Sequence, residues 1–246
     1  MAGVTVVFDL DGTLVDTAPD LVETLNVVFA EEGLPTVAFE RARNLIGGGA
    51  RRMIEGGLQA EGRSCTPAEI DRLYAEFIRF YSAHIADRSR PFPALQTALD
   101  TLAAEGTRFA VCTNKLESLS VKLLETLGLA HRFMAVCGQD TFGVQKPNPD
   151  ILRKTIRRAG GNVHEAVMVG DSANDIDTAR AAGIPVVAVD FGYTEIPVSQ
   201  LGPDRIISSF EQLPAAVHHV LGRANPATVP QSDANFGIGT LGVVND

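Results

Sequence analysis

The chain has 246 residues, 45% of them hydrophobic, which is enough for one large domain or two smaller ones with a buried core. Its net charge of −9 argues against nucleic acids and anionic membrane surfaces as partners, because binding to a phosphate backbone needs clustered lysine and arginine. The first residues show neither the basic region nor the extended apolar region typical of a leader, and no run approaches the roughly 20 apolar residues of a membrane span. We therefore expect a cytoplasmic protein without a membrane or nucleic-acid partner.

Short β-branched and apolar runs alternate with helical patterns along most of the chain. This alternation predicts the α/β class, with a parallel sheet covered by helices on both faces. The predicted strands are 4–8, 109–112, 133–137, 166–169, 185–189 and 205–207.

The interval between the first two predicted strands is unusually long. It spans about 100 residues, whereas a crossover between parallel strands needs a dozen or so. The interval has helical periodicity, and Thr66 with Glu69 forms a capping box at the start of one helix. The predicted division is a Rossmann-like core of 1–14 and 91–222, an inserted helical cap domain of 15–90 and a disordered tail of 223–246.

Two aspartates, Asp9 and Asp11, follow the first predicted strand and precede Gly12. Gly12 allows the chain to turn, so the two carboxylates can converge at the end of the strand. Close carboxylates repel each other unless a cation joins them or one takes up a proton, and Mg²⁺ prefers oxygen ligands. The alternative is a turn that uses Asp and Gly for geometry alone.

Three further polar groups follow later strands. Thr113 and Asn114 would suit phosphate oxygens at a helix start, although they are equally ordinary helix caps. Lys146 lies in a proline-rich loop that either fixes its ammonium group or leaves it solvated. Asp171 ends another strand, and Asp175 follows within one helical turn; capping explains one of these acids but not both. Open α/β sheets bind ligands at the carboxyl ends of their strands, so all these groups are expected at one site.

Together, these motifs resemble those of the haloacid dehalogenase superfamily of phosphohydrolases: DxDGT at 9–13, the threonine at 113, the lysine at 146 and GDSxxD at 170–175. The helical insertion after the first motif is similar to the cap of that family. The resemblance implies that Asp9 attacks phosphorus and forms an aspartyl-phosphate, which water then hydrolyses. It also implies that Asp9, the backbone carbonyl of Asp11 and Asp171 hold Mg²⁺, and that the Asp11 carboxyl carries protons.

The same resemblance implies roles for the remaining polar residues. Thr113 and Asn114 would hold the phosphoryl oxygens. Lys146 would neutralise charge and pair with Asp175. The protein itself is expected to be a monomer or a homodimer.

Within the superfamily, the chain looks most like the phosphoglycolate phosphatases, on the segments FDLDGTLVDTAPDL, IGGGARRMI, VCTNK, QKPNPDIL and VGDSANDI. This resemblance implies that 2-phosphoglycolate, a small phosphate ester, is hydrolysed to glycolate and phosphate. Arg51 or Arg52 in the second segment could bind an anionic part of the substrate. Alternatively, that segment is a flexible link with two solvated arginines.

Several other functions stay open at this point. The substrate could be a sugar phosphate, a nucleotide or pyrophosphate, and a phosphomutase would share the two aspartates. A non-enzymatic protein that binds a phosphate ligand is disfavoured because every catalytic position is occupied. The presence of Asp11 argues against a dehalogenase, because dehalogenases typically lack the second aspartate. The absence of lysine from 15–90 argues against a phosphonatase, which needs a lysine in its cap.

Overall fold

The computed structural model describes residues 3–222. Its centre is a six-stranded parallel sheet, which confirms the predicted α/β class and Rossmann-like core. With strands numbered along the chain, the spatial order is β5 (Ala135–Cys137), β4 (Arg108–Cys112), β1 (Thr5–Phe8), β6 (Ala166–Gly170), β7 (Val186–Val189) and β8 (Arg205–Ile207). The six strands lie where the sequence predicts them, with ends that shift by at most two residues.

β1 lies in the middle of the sheet and pairs with β4 on one side and β6 on the other. Val6 and Phe8 enter one hydrophobic core, and Val7 enters the core on the opposite face. Burial on both faces explains why this strand is a continuous apolar run rather than an alternating one.

Helices cover both faces of the sheet. The first face carries α5 (Leu95–Ala104), α6 (Glu117–Thr126) and α9 (Leu213–Val220), and the second carries α7 (Pro149–Arg158) and α8 (Ala173–Ala182). None of the helices within 3–222 is long and apolar enough to cross a membrane.

Four helices lie between β1 and α5: α1 (Ala18–Glu31), α2 (Phe39–Arg43), α3 (Ala50–Ala60) and α4 (Pro67–Ala83). Two short strands, β2 (Val15–Asp16) and β3 (Arg90–Pro91), flank them and pair with each other in antiparallel orientation. The sequence analysis did not predict this pair. It joins the two ends of the helical segment. The separation of 15–90 as a cap domain stays a prediction, and the tail predicted for 223–246 lies outside the described residues.

The predicted capping box at the start of α4 is present. The Thr66 hydroxyl accepts a hydrogen bond from the Glu69 N–H at 3.3 Å, and the Glu69 carboxylate accepts one from the Thr66 N–H at 2.7 Å. Replacing Thr66 with alanine should lower the free energy of unfolding by about 1 kcal/mol, since an N–H at the helix start loses its partner. Urea unfolding measures this change. Thr66→Ser keeps the hydroxyl and should match the parent; equal losses in both variants would contradict the capping explanation.

Candidate active site

The polar groups predicted from the sequence converge at the carboxyl ends of β1, β4 and β6. Asp9 follows β1 directly, and Asp171 follows β6 directly. After β1 the chain continues to β4 on one side of the sheet, whereas after β6 it continues to β7 on the other side. The two connections therefore diverge. Such a point in an open α/β sheet forms a crevice where ligands bind.

Asp9 is buried and held by one of its two carboxylate oxygens. Its Oδ1 accepts a hydrogen bond from the Leu10 N–H at 2.7 Å and lies 2.9 Å from Nζ of Lys146. Its Oδ2 makes no hydrogen bond with any residue of the described chain. Burial raises the pKa of Asp9 to about 7; Lys146 opposes this rise, and the carboxylates of Asp175 and Asp11 add to it. This carboxylate therefore lies where its charge is poorly solvated.

Lys146 is buried between two carboxylates. Its Nζ lies 2.9 Å from Asp9 and 2.5 Å from Oδ1 of Asp175. Burial alone would lower the pKa of Lys146, but the charges of Asp175 and Asp9 outweigh it and raise the pKa above its ordinary value. The ammonium group is therefore charged at neutral pH beside Asp9.

Asp175 holds both Lys146 and the start of α8. Its Oδ2 accepts hydrogen bonds from the N–H groups of Asp171 and Ser172 and from the Ser172 hydroxyl. Oδ2 of Asp175 therefore caps the helix, while its Oδ1 pairs with the Lys146 ammonium. The pairing of Lys146 with Asp175 that the family resemblance implies is present in the geometry.

Asp171 is fixed by residues from two other segments. Its Oδ1 accepts a hydrogen bond from the Thr13 hydroxyl at 2.7 Å, and its Oδ2 accepts one from the Tyr193 N–H at 2.7 Å. Burial, together with Asp175 and Asp9, raises the pKa of Asp171 well above its ordinary value. A Cβ atom on Gly192 would lie 2.2 Å from Cβ of Asp171, so only glycine fits there.

Three of these acids form a cluster that could hold a metal ion. Oxygen atoms of Asp9, Asp171 and Asp175 lie within 4.8 Å of one another. Oδ2 of Asp175 accepts three hydrogen bonds and its Oδ1 pairs with the Lys146 ammonium. Each oxygen of Asp171 accepts only one hydrogen bond, and Oδ2 of Asp9 accepts none from the described residues, so Asp9 and Asp171 are the carboxylates best placed to be ligands. The donor set consists of oxygen atoms, as hard cations such as Mg²⁺ prefer.

The charges of the site also fit a divalent cation. When all four carboxylates of Asp9, Asp11, Asp171 and Asp175 are ionised, they face only two ammonium groups, so two negative charges remain uncompensated. Uncompensated buried charge is costly, and a divalent cation would balance it.

Mg²⁺ should raise the melting temperature, by about 5–10 °C at a concentration ~100-fold above its Kd. The increase should be larger at pH 8 than at pH 5.5. Because the pKa of Asp9 is raised to about 7 beside Lys146, Asp175 and Asp11, the metal-free protein loses stability as the pH rises from the ordinary carboxyl pKa toward 7. A bound cation compensates the charge of Asp9 and so removes that loss of stability, which is why Mg²⁺ should stabilise the protein more at pH 8.

Differential scanning fluorimetry measures these melting temperatures. Asp171→Asn should abolish the increase, and Asp177→Asn, at an exposed position of α8, should retain it. An equal increase in both variants would contradict a metal site at Asp171.

The Asn114 side chain is occupied by protein contacts. Its Oδ1 accepts a hydrogen bond from the Lys146 N–H at 2.9 Å, and its Nδ2 donates to the carbonyls of Lys146 and Gly47 at 3.2 Å. It therefore fixes the Lys146 loop against the segment before α3. The expected helix start after β4 is also displaced, since α6 begins only at Glu117. The Thr113 hydroxyl and the Asn114 backbone N–H are the groups left for an anion.

Two residues that the sequence analysis did not assign complete the site. Lys115 places its ammonium 2.8 and 3.0 Å from the two carboxylate oxygens of Asp11. The same ammonium lies 4.5 Å from the ring centroid of Tyr81, in α4. Lys115 directly follows Thr113 and Asn114 at the end of β4, so the reasoning applied to those two residues could have found it.

The two arginines of the predicted specificity segment do not reach this site. Both Arg51 and Arg52 are exposed, and neither lines the cavity above Asp9. Arg51 pairs with Asp71 on α4. The glycines before them do approach the site: Gly47 accepts hydrogen bonds from Asn114 and Asn174 through its carbonyl.

Comparisons with known proteins agree with this geometry. A family model described as haloacid dehalogenase-like hydrolase matches residues 6–189. Phosphoglycolate phosphatases of Mesorhizobium japonicum and Caulobacter vibrioides are 49% and 46% identical, over 89% and 87% of this chain and 96% and 90% of theirs. A crystal structure of a protein described as a predicted phosphoglycolate phosphatase of Haemophilus somnus has a TM-score of 0.79 and 30% identity. It covers 85% of this chain and 95% of its own.

Proposed function

Because this chain belongs to the haloacid dehalogenase-like hydrolases, we propose that it is an Mg²⁺-dependent phosphatase that hydrolyses 2-phosphoglycolate to glycolate and phosphate. The observation that carries this proposal is the state of Asp9. One of its oxygens is anchored to Leu10 and Lys146, and the other is unbonded among the described residues. A carboxylate with one anchored and one available oxygen is suited to nucleophilic attack.

In the first step, Oδ2 of Asp9 attacks phosphorus, and the bond between phosphorus and the ester oxygen breaks. The Asp11 carboxyl donates its proton to the leaving oxygen, which yields the alcohol, here glycolate, and an aspartyl-phosphate. In the second step, Asp11 takes a proton from water, and the water oxygen attacks phosphorus. The bond to Asp9 breaks, and inorganic phosphate leaves with Asp9 regenerated.

Two cationic elements assist the approach of an anionic ester to a carboxylate. Lys146 lies beside Asp9 and neutralises part of the phosphoryl charge. Asp9, Asp171 and the backbone carbonyl of Asp11 would hold Mg²⁺, which when bound supplies further charge neutralisation. The Thr113 hydroxyl and the Asn114 N–H would donate to phosphoryl oxygens.

The proposed substrate rests on two supports. The curated relatives named above are phosphoglycolate phosphatases. In addition, the cavity above Asp9 is bounded by apolar side chains of the insertion helices, among them Met53, Phe77 and Ile78. Such walls suit a small leaving group better than a polyhydroxylated sugar or a nucleoside. We further propose that the enzyme acts in the cytoplasm.

A metal-supplemented panel of phosphate esters tests the proposal. The panel compares kcat/KM for 2-phosphoglycolate with that for a hexose phosphate, a nucleoside monophosphate and pyrophosphate. We expect at least a tenfold preference for 2-phosphoglycolate, equivalent to about 1.4 kcal/mol. A preference for the nucleotide or pyrophosphate would overturn the substrate. An isomerised product without phosphate release would point to a phosphomutase, and no turnover of any ester would overturn the phosphatase itself.

A further inference from the structure

We propose that Lys115 and Tyr81 form the subsite that binds the carboxylate of the substrate, an inference that rests on the function proposed above. Lys115 is the one lysine or arginine among the described residues that line the cavity above Asp9. The cation at this cavity is therefore the buried Lys115 at the end of β4, whereas Arg51 and Arg52 are exposed.

The position of Lys115 relative to Asp11 fits the covalent structure of 2-phosphoglycolate. Asp11 would donate its proton to the ester oxygen, and the substrate's carboxylate carbon is two bonds from that oxygen. A cation in contact with the proton donor therefore lies close to the carboxylate of the same substrate. The contact distances of 2.8 and 3.0 Å between Lys115 Nζ and the Asp11 oxygens meet this requirement.

Lys115 also has the charge and the donor capacity for this contact. Its ammonium lies 2.8 and 3.0 Å from the two carboxylate oxygens of Asp11 and 4.5 Å from the ring centroid of Tyr81. An ammonium group carries three N–H donors, and Asp11 does not require all of them. The ammonium can therefore bind Asp11 and a second carboxylate at the same time.

Tyr81 provides a second observation at the same place. It is 1% exposed and lines the cavity, yet its hydroxyl has no hydrogen-bond partner within 3–222 that meets ordinary geometry. An unsatisfied buried hydroxyl costs about 1–3 kcal/mol, which a ligand with an acceptor oxygen can recover. Burial raises the pKa of Tyr81 to about 12, so the hydroxyl is protonated at neutral pH and can donate.

Many of the other lining residues are apolar. Leu21, Met53, Phe77 and Leu119 bound the cavity. In such surroundings a carboxylate is bound only where cation and donor are already placed, because an unpaired charge is expensive to bury. The subsite would select for a single carboxylate close to the phosphate ester.

The test compares two substrates of nearly equal size, 2-phosphoglycolate and 2-hydroxyethyl phosphate, which has a neutral CH₂OH group in place of the carboxylate. We expect the wild type to prefer 2-phosphoglycolate. In Lys115→Met the ratio of the two kcat/KM values should fall by about 10–100-fold, the effect of one charge-assisted hydrogen bond. Most of the change should be in KM for 2-phosphoglycolate. Tyr81→Phe keeps the ring and should lower the same ratio by about 5–10-fold.

The matched control is Lys154→Met, at an exposed lysine of α7 that does not line the cavity, and it should leave the ratio unchanged. If Lys115→Met slows both substrates equally, Lys115 acts only by positioning Asp11, and the inference is overturned. A wild type that turns over both esters without preference overturns it too. A wild type inactive on both refutes the proposed function instead. Tyr81→Phe keeps the test decisive if Lys115→Met does not fold.

Discussion

Replacing Asp9 with asparagine should lower kcat by at least about 10⁴-fold, the order of loss seen when a catalytic nucleophile is removed. An amide has the size of the carboxylate but cannot form the aspartyl-phosphate. The measurement is phosphate release at saturating Mg²⁺ and ester, with circular dichroism to verify the fold. Asp9→Ala should be equally inactive, which separates loss of the nucleophile from any effect of the amide.

The stability of the same variant provides a second readout. Asp9 carries a desolvated charge beside Asp175 and Asp11, so its neutralisation should leave the metal-free protein equally stable or more stable at pH 8. The control Asp177→Asn removes an exposed carboxylate of α8 and should change neither kcat nor the free energy of unfolding by a measurable amount. Full turnover by pure Asp9→Asn enzyme would contradict the assignment of Asp9 as nucleophile.

The position of the acids could be predicted because strand ends carry information that is local in sequence. Asp9 and Asp171 each follow an apolar run directly, and parallel strands place their carboxyl ends at one edge of the sheet. No knowledge of tertiary contacts was needed for this step. The order of the six strands, in contrast, depends on which edges pair, and the apolar runs are too alike to specify it.

The parts of the site that could not be predicted depend on contacts between distant segments. Tyr193 binds Asp171 through its backbone N–H, which has no signature in the sequence. Asn114 carries both a donor and an acceptor, so sequence alone does not show whether it faces a ligand or, as here, the backbone of Lys146. The strands β2 and β3 are likewise too short, at two residues each, to produce a periodic pattern in the sequence.

Replacing Lys146 with methionine should lower the free energy of unfolding by about 3–5 kcal/mol at pH 8, the cost of removing one partner of a buried ion pair. The ammonium lies 2.9 Å from Asp9 and 2.5 Å from Asp175, and both carboxylates are buried. Methionine fills a similar volume, so most of the loss comes from charge. Turnover should fall by about 10³-fold or more, since a cation at the transferring phosphoryl group is lost.

The pH dependence of this loss distinguishes charge from packing. The pKa of Asp9 is about 7 with Lys146 present, and removing Lys146 raises it further, since Asp175 and Asp11 also repel the Asp9 charge. At pH 5.5 Asp9 takes up a proton, so the variant recovers part of its stability; at pH 8 it loses the most. Urea unfolding at the two pH values, with exposed Lys154→Met as the control, measures the difference. Equal losses at both would mean that Lys146 contributes mainly by packing, and the site would not need its charge to fold.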